Sequence, residues 1–176
     1  MGRPSGCPFF FEVHVASIYL EEAEREEFLA QAEILLEKLQ TDIEEFEDSP
    51  TNFNKLRSFL KSIDRMILQA KLFDLEMIVT FCDMSKIVGL KLISCDNREL
   101  NLIAAGVLAD TVDLIYRIVR AIGAGEDAKM ADDYSSFIGR LKILSQKFKA
   151  LEAHTQKELN QTAGELDNLI AVLDDL

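Results

Sequence analysis

The chain has no tryptophan, only two histidines and only three prolines in 176 residues. Pro4, Pro8 and Pro50 all fall in the first 50 positions, so nothing from Thr51 onward interrupts a helix by losing a backbone donor. The 8 glycines are too few for collagen or for a flexible linker. Cysteine is scarce and odd in number: Cys7, Cys82 and Cys95 show no CxxC spacing. They build neither a disulfide framework nor a zinc site, and the usage suits a reducing cytosol. In their apolar surroundings Cys82 and Cys95 read as small buried hydrophobes. Positive charge is also short, with 19 Lys and Arg against 31 Asp and Glu, a net charge of -12 and a pI near 4.6. Such a surface repels phosphate backbones and anionic headgroups, which argues against nucleic acid or a membrane as the main partner. The longest apolar region, from Leu100 to Ile122, carries Asp110, Asp113, Arg117 and Arg120 and so does not read as a membrane span. No signal peptide is evident, because the apolar run Phe9-Phe10-Phe11 is broken at once by Glu12.

What is present is helical periodicity. Hydrophobic residues make up 48% of the chain, enough for one domain with its own core and too many for intrinsic disorder. From Glu21 onward Phe28, Leu29, Ala32, Leu35, Leu36, Leu39, Ile43 and Phe46 recur at helical spacing opposite an acidic face. Glu47-Asp48-Ser49-Pro50 ends that segment. A second helix is expected to begin with Thr51 or Asn52 as cap and to align Leu56, Leu60, Ile63 and Ile67. Phe73-Asp74 reads as a short connection. A third helix carries Leu75, Ile78, Val79, Cys82, Ile87 and Val88, and a fourth runs from about Glu99 to Ile122, ended by Gly123-Ala124-Gly125. Ala131-Asp132-Asp133 would cap a fifth, bearing Tyr134, Phe137, Ile138, Leu141, Leu144 and Phe148.

Toward the end of the chain, Leu159, Leu166, Leu169 and Leu173 fall on a coiled-coil-like seam, read either as a terminal helix packed on the bundle or as a self-association surface. The expected organisation is an N-terminal arm over residues 1–20, a helical bundle over 21–150 and an amphipathic C-terminal helix over 151–176. The fold class is all-α, an antiparallel up-down helical bundle of about five or six helices.

Motifs for enzymatic chemistry are missing: the chain has no GxGxxG, no Walker A loop, no HExxH and no GxSxG. His14 and His154 lie far in sequence from any carboxylate pair or cysteine that would make a triad or a metal site. Asp110 and Asp113, three apart on a helix, point to one side and would suit a cation or an acid/base pair, although pairing of Asp113 with Arg117 is the plainer expectation. No cofactor and no metal are expected.

The order of features, from about Glu27 to Ala150, resembles the histidine-containing phosphotransfer (HPt) domain of CheA-type chemotaxis kinases. The segment Phe28 to Leu39 resembles the opening of that family's first helix, and Thr111-Val112-Asp113-Leu114-Ile115 a segment of its fourth. Members carry an HTxKGxA-type motif on the second helix, where histidine accepts the phosphoryl group. Aligned on the apolar stripe, this chain has Lys61 at the histidine position, Asp64 in place of the motif lysine and Arg65 in place of the glycine. Shifted by one, Ser62 stands at the histidine position. No histidine occurs between Thr51 and Ile93 in either register. The family's third-helix glutamate corresponds to Asp83, expected to lie near Lys61 as a surface ion pair.

The resemblance implies a domain that keeps a docking surface and has lost the phosphoryl acceptor. A protonated lysine on an exposed helix is a poor nucleophile, and Asp64 would repel a phosphoryl group. The expected function is a non-catalytic signalling module in a bacterial cytoplasm, docking a response-regulator receiver domain or a histidine kinase. A homodimer through the leucine seam, phosphotransfer through a displaced His14 or His154, and an enzyme built on Asp110 and Asp113 are the alternative expectations.

Overall fold

A computed structural model describes residues 20–95, 97–126 and 136–151, and every regular element among them is helical. Helix α1 spans Glu22–Asp48, α2 Phe53–Leu72, α3 Glu76–Ile93 and α4 Arg98–Ala124. A fifth helix, α5, covers 136–151. Residues 1–19 of the expected arm, Tyr134 with its capping residues, and the leucine seam lie outside the described residues.

Local chemistry sets the helix boundaries. At the start of α1, Glu24 Oε2 accepts the Glu21 N–H at 3.1 Å, one half of a capping box. The helix stops before Pro50, whose carbonyl accepts from Asn101 Nδ2 at 2.9 Å in a buried bond that ties the α1–α2 turn to α4. Asn52 does precede α2, but its side chain caps nothing. Asn97 supplies the true side-chain cap, its oxygen accepting from Leu100 N at 3.0 Å, which is why α4 begins at Arg98. Gly125, with φ 68°, ends α4 in the left-handed conformation that glycine adopts without a Cβ penalty.

The four long helices pack in sequence, and α1 also packs against α4, closing a ring around one core. Phe28 meets Phe73 edge-on at 5.7 Å between ring centroids, while Phe46 meets Phe53 at 6.2 Å toward the far end of α1. Across α2 and α3, Leu60 lies against Gly89 and Asp64 pairs with Lys86. Across α1 and α4, Leu29 faces Gly123 and Glu47 faces Gly106. Helix α5 lies over α3 and α4, where Phe137 stacks edge-on against Phe81 at 5.8 Å and Lys91 Nζ sits 5.6 Å from the Phe148 ring centre.

All four apolar positions expected of α2 are buried, together with Phe59, Met66 and Ala70. Ile87 departs from expectation and is 60% exposed. The buried arc of α3 runs through Cys82, Ser85, Val88, Gly89 and Leu92, and Ile87 sits about 100° around the helix from Val88. None of the described helices is long and apolar enough to cross a membrane.

Candidate functional site

The resemblance singles out the middle of α2, and the structure sorts its residues by face. Lys61 and Arg65 are exposed, one turn apart. The same stripe continues through Leu68 and Leu72, which are 66% and 75% exposed, so two cations and two leucines line one outer edge of α2. That helix is basic in an acidic protein, with five cations against the single carboxylate of Asp64; α1 carries eleven carboxylates against two cations.

Ser62 points the other way. It is buried, and its hydroxyl donates to the Ser58 carbonyl at 3.3 Å, so the register that places Ser62 at an exposed acceptor position does not hold. Asp64 is engaged by Lys86 Nζ at 2.5 Å, and the neighbouring carboxylate holds that ammonium above its ordinary pKa. The ion pair expected between Asp83 and Lys61 is not formed. The pairs Leu60–Gly89 and Asp64–Lys86 set the helix register and put Asp83 level with Ile67, about 9 Å along the axis from Lys61. Level with Lys61 on α3 stand Val88 and Gly89 instead.

Asp110 and Asp113 also part company. Asp110 faces α5, where Arg140 Nη1 lies 2.7 Å from its Oδ2, whereas Asp113 lines a groove between α1 and α4. The Asp110 carboxyl is pushed above the usual carboxylate range, because the loss of solvation on burial outweighs the guanidinium. Glu47 is raised too, first by burial and then by the charges of Glu44, Asp110 and Asp48. Periodicity could not have shown the Asp110–Arg140 pair, because it depends on how α5 folds back over α4.

The buried Cys82 thiol is pushed far up by loss of solvation and is no nucleophile at neutral pH. Among the described residues no group of three or more His, Cys, Asp and Glu side chains is placed to hold a metal ion. His14, His154, Cys7 and the seam leucines Leu159, Leu166, Leu169 and Leu173 fall outside the described residues. Compared with protein-family models, with curated proteins and with solved structures, the chain matches none.

Proposed function

We propose that the chain is a non-catalytic docking module of HPt-like, antiparallel up-and-down architecture, acting in a bacterial cytoplasm on a two-component partner. The observation that carries this reading is the outer edge of α2, where Lys61, Arg65, Leu68 and Leu72 lie exposed in one stripe at the level where the resemblance expects an acceptor. Three contacts support the architecture: Phe28 near the start of α1 meets Phe73 just past the end of α2, Leu60 in the first half of α2 meets Gly89 near the end of α3, and Leu29 in the first half of α1 faces Gly123 near the end of α4. No histidine stands between Thr51 and Ile93 to accept a phosphoryl group.

The partner that suits this edge is a response-regulator receiver domain, or failing that a histidine kinase. Lys61 and Arg65 enter an acidic pocket as a bound cation would, and the two leucines cover the apolar rim around it. With Asp64 already neutralised by Lys86, no unpaired carboxylate on α2 opposes the approach.

Calorimetric titration of the purified chain with receiver domains, with and without Lys61→Glu/Arg65→Glu, tests the reading. Binding that weakens at least about tenfold in the double variant is expected, since charge reversal at a docking edge removes attraction and adds repulsion. Absence of binding to receiver and kinase domains refutes it. Transfer of phosphate from a phosphorylated receiver onto the chain refutes the non-catalytic part.

A further inference from the structure

A second surface lies on the other side of α3 from α2 and owes nothing to the reading of Lys61 and Arg65. The contacts Phe81–Phe137 and Lys91–Phe148 set α5 parallel to α3, and between the two helices runs a groove of about 290 Å³. Its lining still offers apolar surface: Ile87 is 60% exposed, and Met84 and Leu141 are half-buried. Both walls are basic. Lys91 stands on α3 and Lys149 on α5, and Lys142, seven residues before Lys149, lies on the same side of that helix. Over residues 136–151 the chain carries four cations and no carboxylate, although the protein as a whole is strongly acidic.

The 25 residues that follow Leu151 have the opposite charge. Residues 152–176 hold six carboxylates against the single cation Lys157, together with the seam Leu159, Leu166, Leu169 and Leu173. At about 100° per helical residue, Glu158 and Glu165 fall on one flank of that seam, and Asp167 and Asp174 on the other. The described part of α5 ends at Leu151, level with the end of α3, so the groove lies behind the point where the chain leaves it. A return over residues 152–155 has the ordinary length of a turn between antiparallel helices. It sets Leu159 level with Phe148, Leu166 with Leu141, and Leu169 with the half-buried Ile138. The small residues Ala163 and Gly164 then come level with Ile87, the most exposed apolar side chain of the groove.

We infer that residues 156–173 of this chain dock in the α3–α5 groove as a helix antiparallel to α5, with the leucines inward and the carboxylates against the lysine walls. Ile87, Met84 and Leu141 are the apolar surface it covers. So short a connection holds the segment at its groove at high effective concentration, which favours the same chain over a second copy.

Thiol labelling of the full chain tests the docking. In a Cys7→Ser background, Ile87→Cys should react with a maleimide at least about tenfold more slowly than Leu72→Cys, at a position 75% exposed on α2. Leu166→Asp/Leu169→Asp should release Ile87→Cys to the rate of Leu72→Cys while Cys82 and Cys95 stay protected, which tells uncovering apart from unfolding. Lys142→Glu/Lys149→Glu should raise the Ile87→Cys rate at least about fivefold, and the equal charge change Arg57→Glu/Lys71→Glu, exposed on α2, by less than about twofold. With Ile87 intact, Leu166→Asp/Leu169→Asp should also shift the Ile87 methyl signals in NMR, and unmoved signals would overturn the inference. Equal labelling of Ile87→Cys and Leu72→Cys in the otherwise unaltered chain would overturn it too. So would protection that survives the two leucine changes, which gives the cover to another segment such as residues 1–19, or protection lost on dilution as the mass halves, which gives it to a second copy.

Discussion

Replacing Gly89 by alanine should destabilise this protein, although helix propensity alone argues the reverse. Gly89 lies inside α3, where glycine costs about 0.5–1 kcal/mol relative to alanine through the backbone freedom it loses. In the bundle, however, a Cβ at position 89 would meet Leu60 Cδ2 at 2.7 Å and Cγ at 3.3 Å, well inside ordinary van der Waals contact. Leu60 is buried on α2, so its side chain must shift inside a packed layer to admit the new methyl. Overpacking of this kind costs about 1–3 kcal/mol, so the balance is a net loss of about 0–2.5 kcal/mol. Gly106→Ala on α4 is the matched control. A Cβ there meets only Glu47 Oε1, at 4.0 Å, so the propensity gain of about 0.5–1 kcal/mol should survive. Urea unfolding followed by circular dichroism would compare the two, with Gly106→Ala above wild type and Gly89→Ala below it. In the Leu60→Ala background the Gly89→Ala penalty should vanish, a coupling of about 1 kcal/mol or more. A Gly89→Ala protein as stable as Gly106→Ala would refute the close approach of α2 and α3.

Glu47→Gln should stabilise the fold at neutral pH. A carboxyl whose folded pKa is raised is stabilising only while protonated, and that contribution is lost as pH rises through the raised value; the gain of the variant should therefore disappear below about pH 4, as thermal melts across pH would show. Phe137→Ala should remove the anchor that stacks on Phe81, at a cost of up to about 3–5 kcal/mol to the docking of α5; amide exchange should quicken across 136–151 and stay slow in the cores of α1 and α2, and uniform quickening would refute α5 as a separately docked element. In a Cys7→Ser background, Cys82 and Cys95 should resist thiol reagents until the chain unfolds, because both are buried and the Cys82 thiol is held protonated; labelling of native protein at the rate of a free thiol would contradict that burial. Lys61→Glu/Arg65→Glu should change stability by no more than about 0.5 kcal/mol, since both side chains are exposed, so lost binding would not reflect unfolding.

Helix existence, order and approximate ends were decided by the sequence itself. A stripe such as Phe28, Ala32, Leu36, Leu39, Ile43 and Phe46 can be buried together only on a helix, and Pro50, Asp74 and Gly125 punctuate the segments with local chemistry. Local chemistry likewise accounts for the basic α2 beside the acidic α1. Periodicity names a buried face, but not which neighbour buries it or at what level along the axis. For that reason only the tertiary structure turned Ser62 inward, gave Asp64 to Lys86 and left Asp83 about two turns from Lys61. It also separated Asp110 from Asp113: residues three apart differ by about 60° around a helix, enough for one to face α5 and the other the α1–α4 groove. A groove, like the exposure of Ile87, depends on the distances and rotations between packed helices, and these follow from how unlike side chains interlock rather than from the spacing within any single segment.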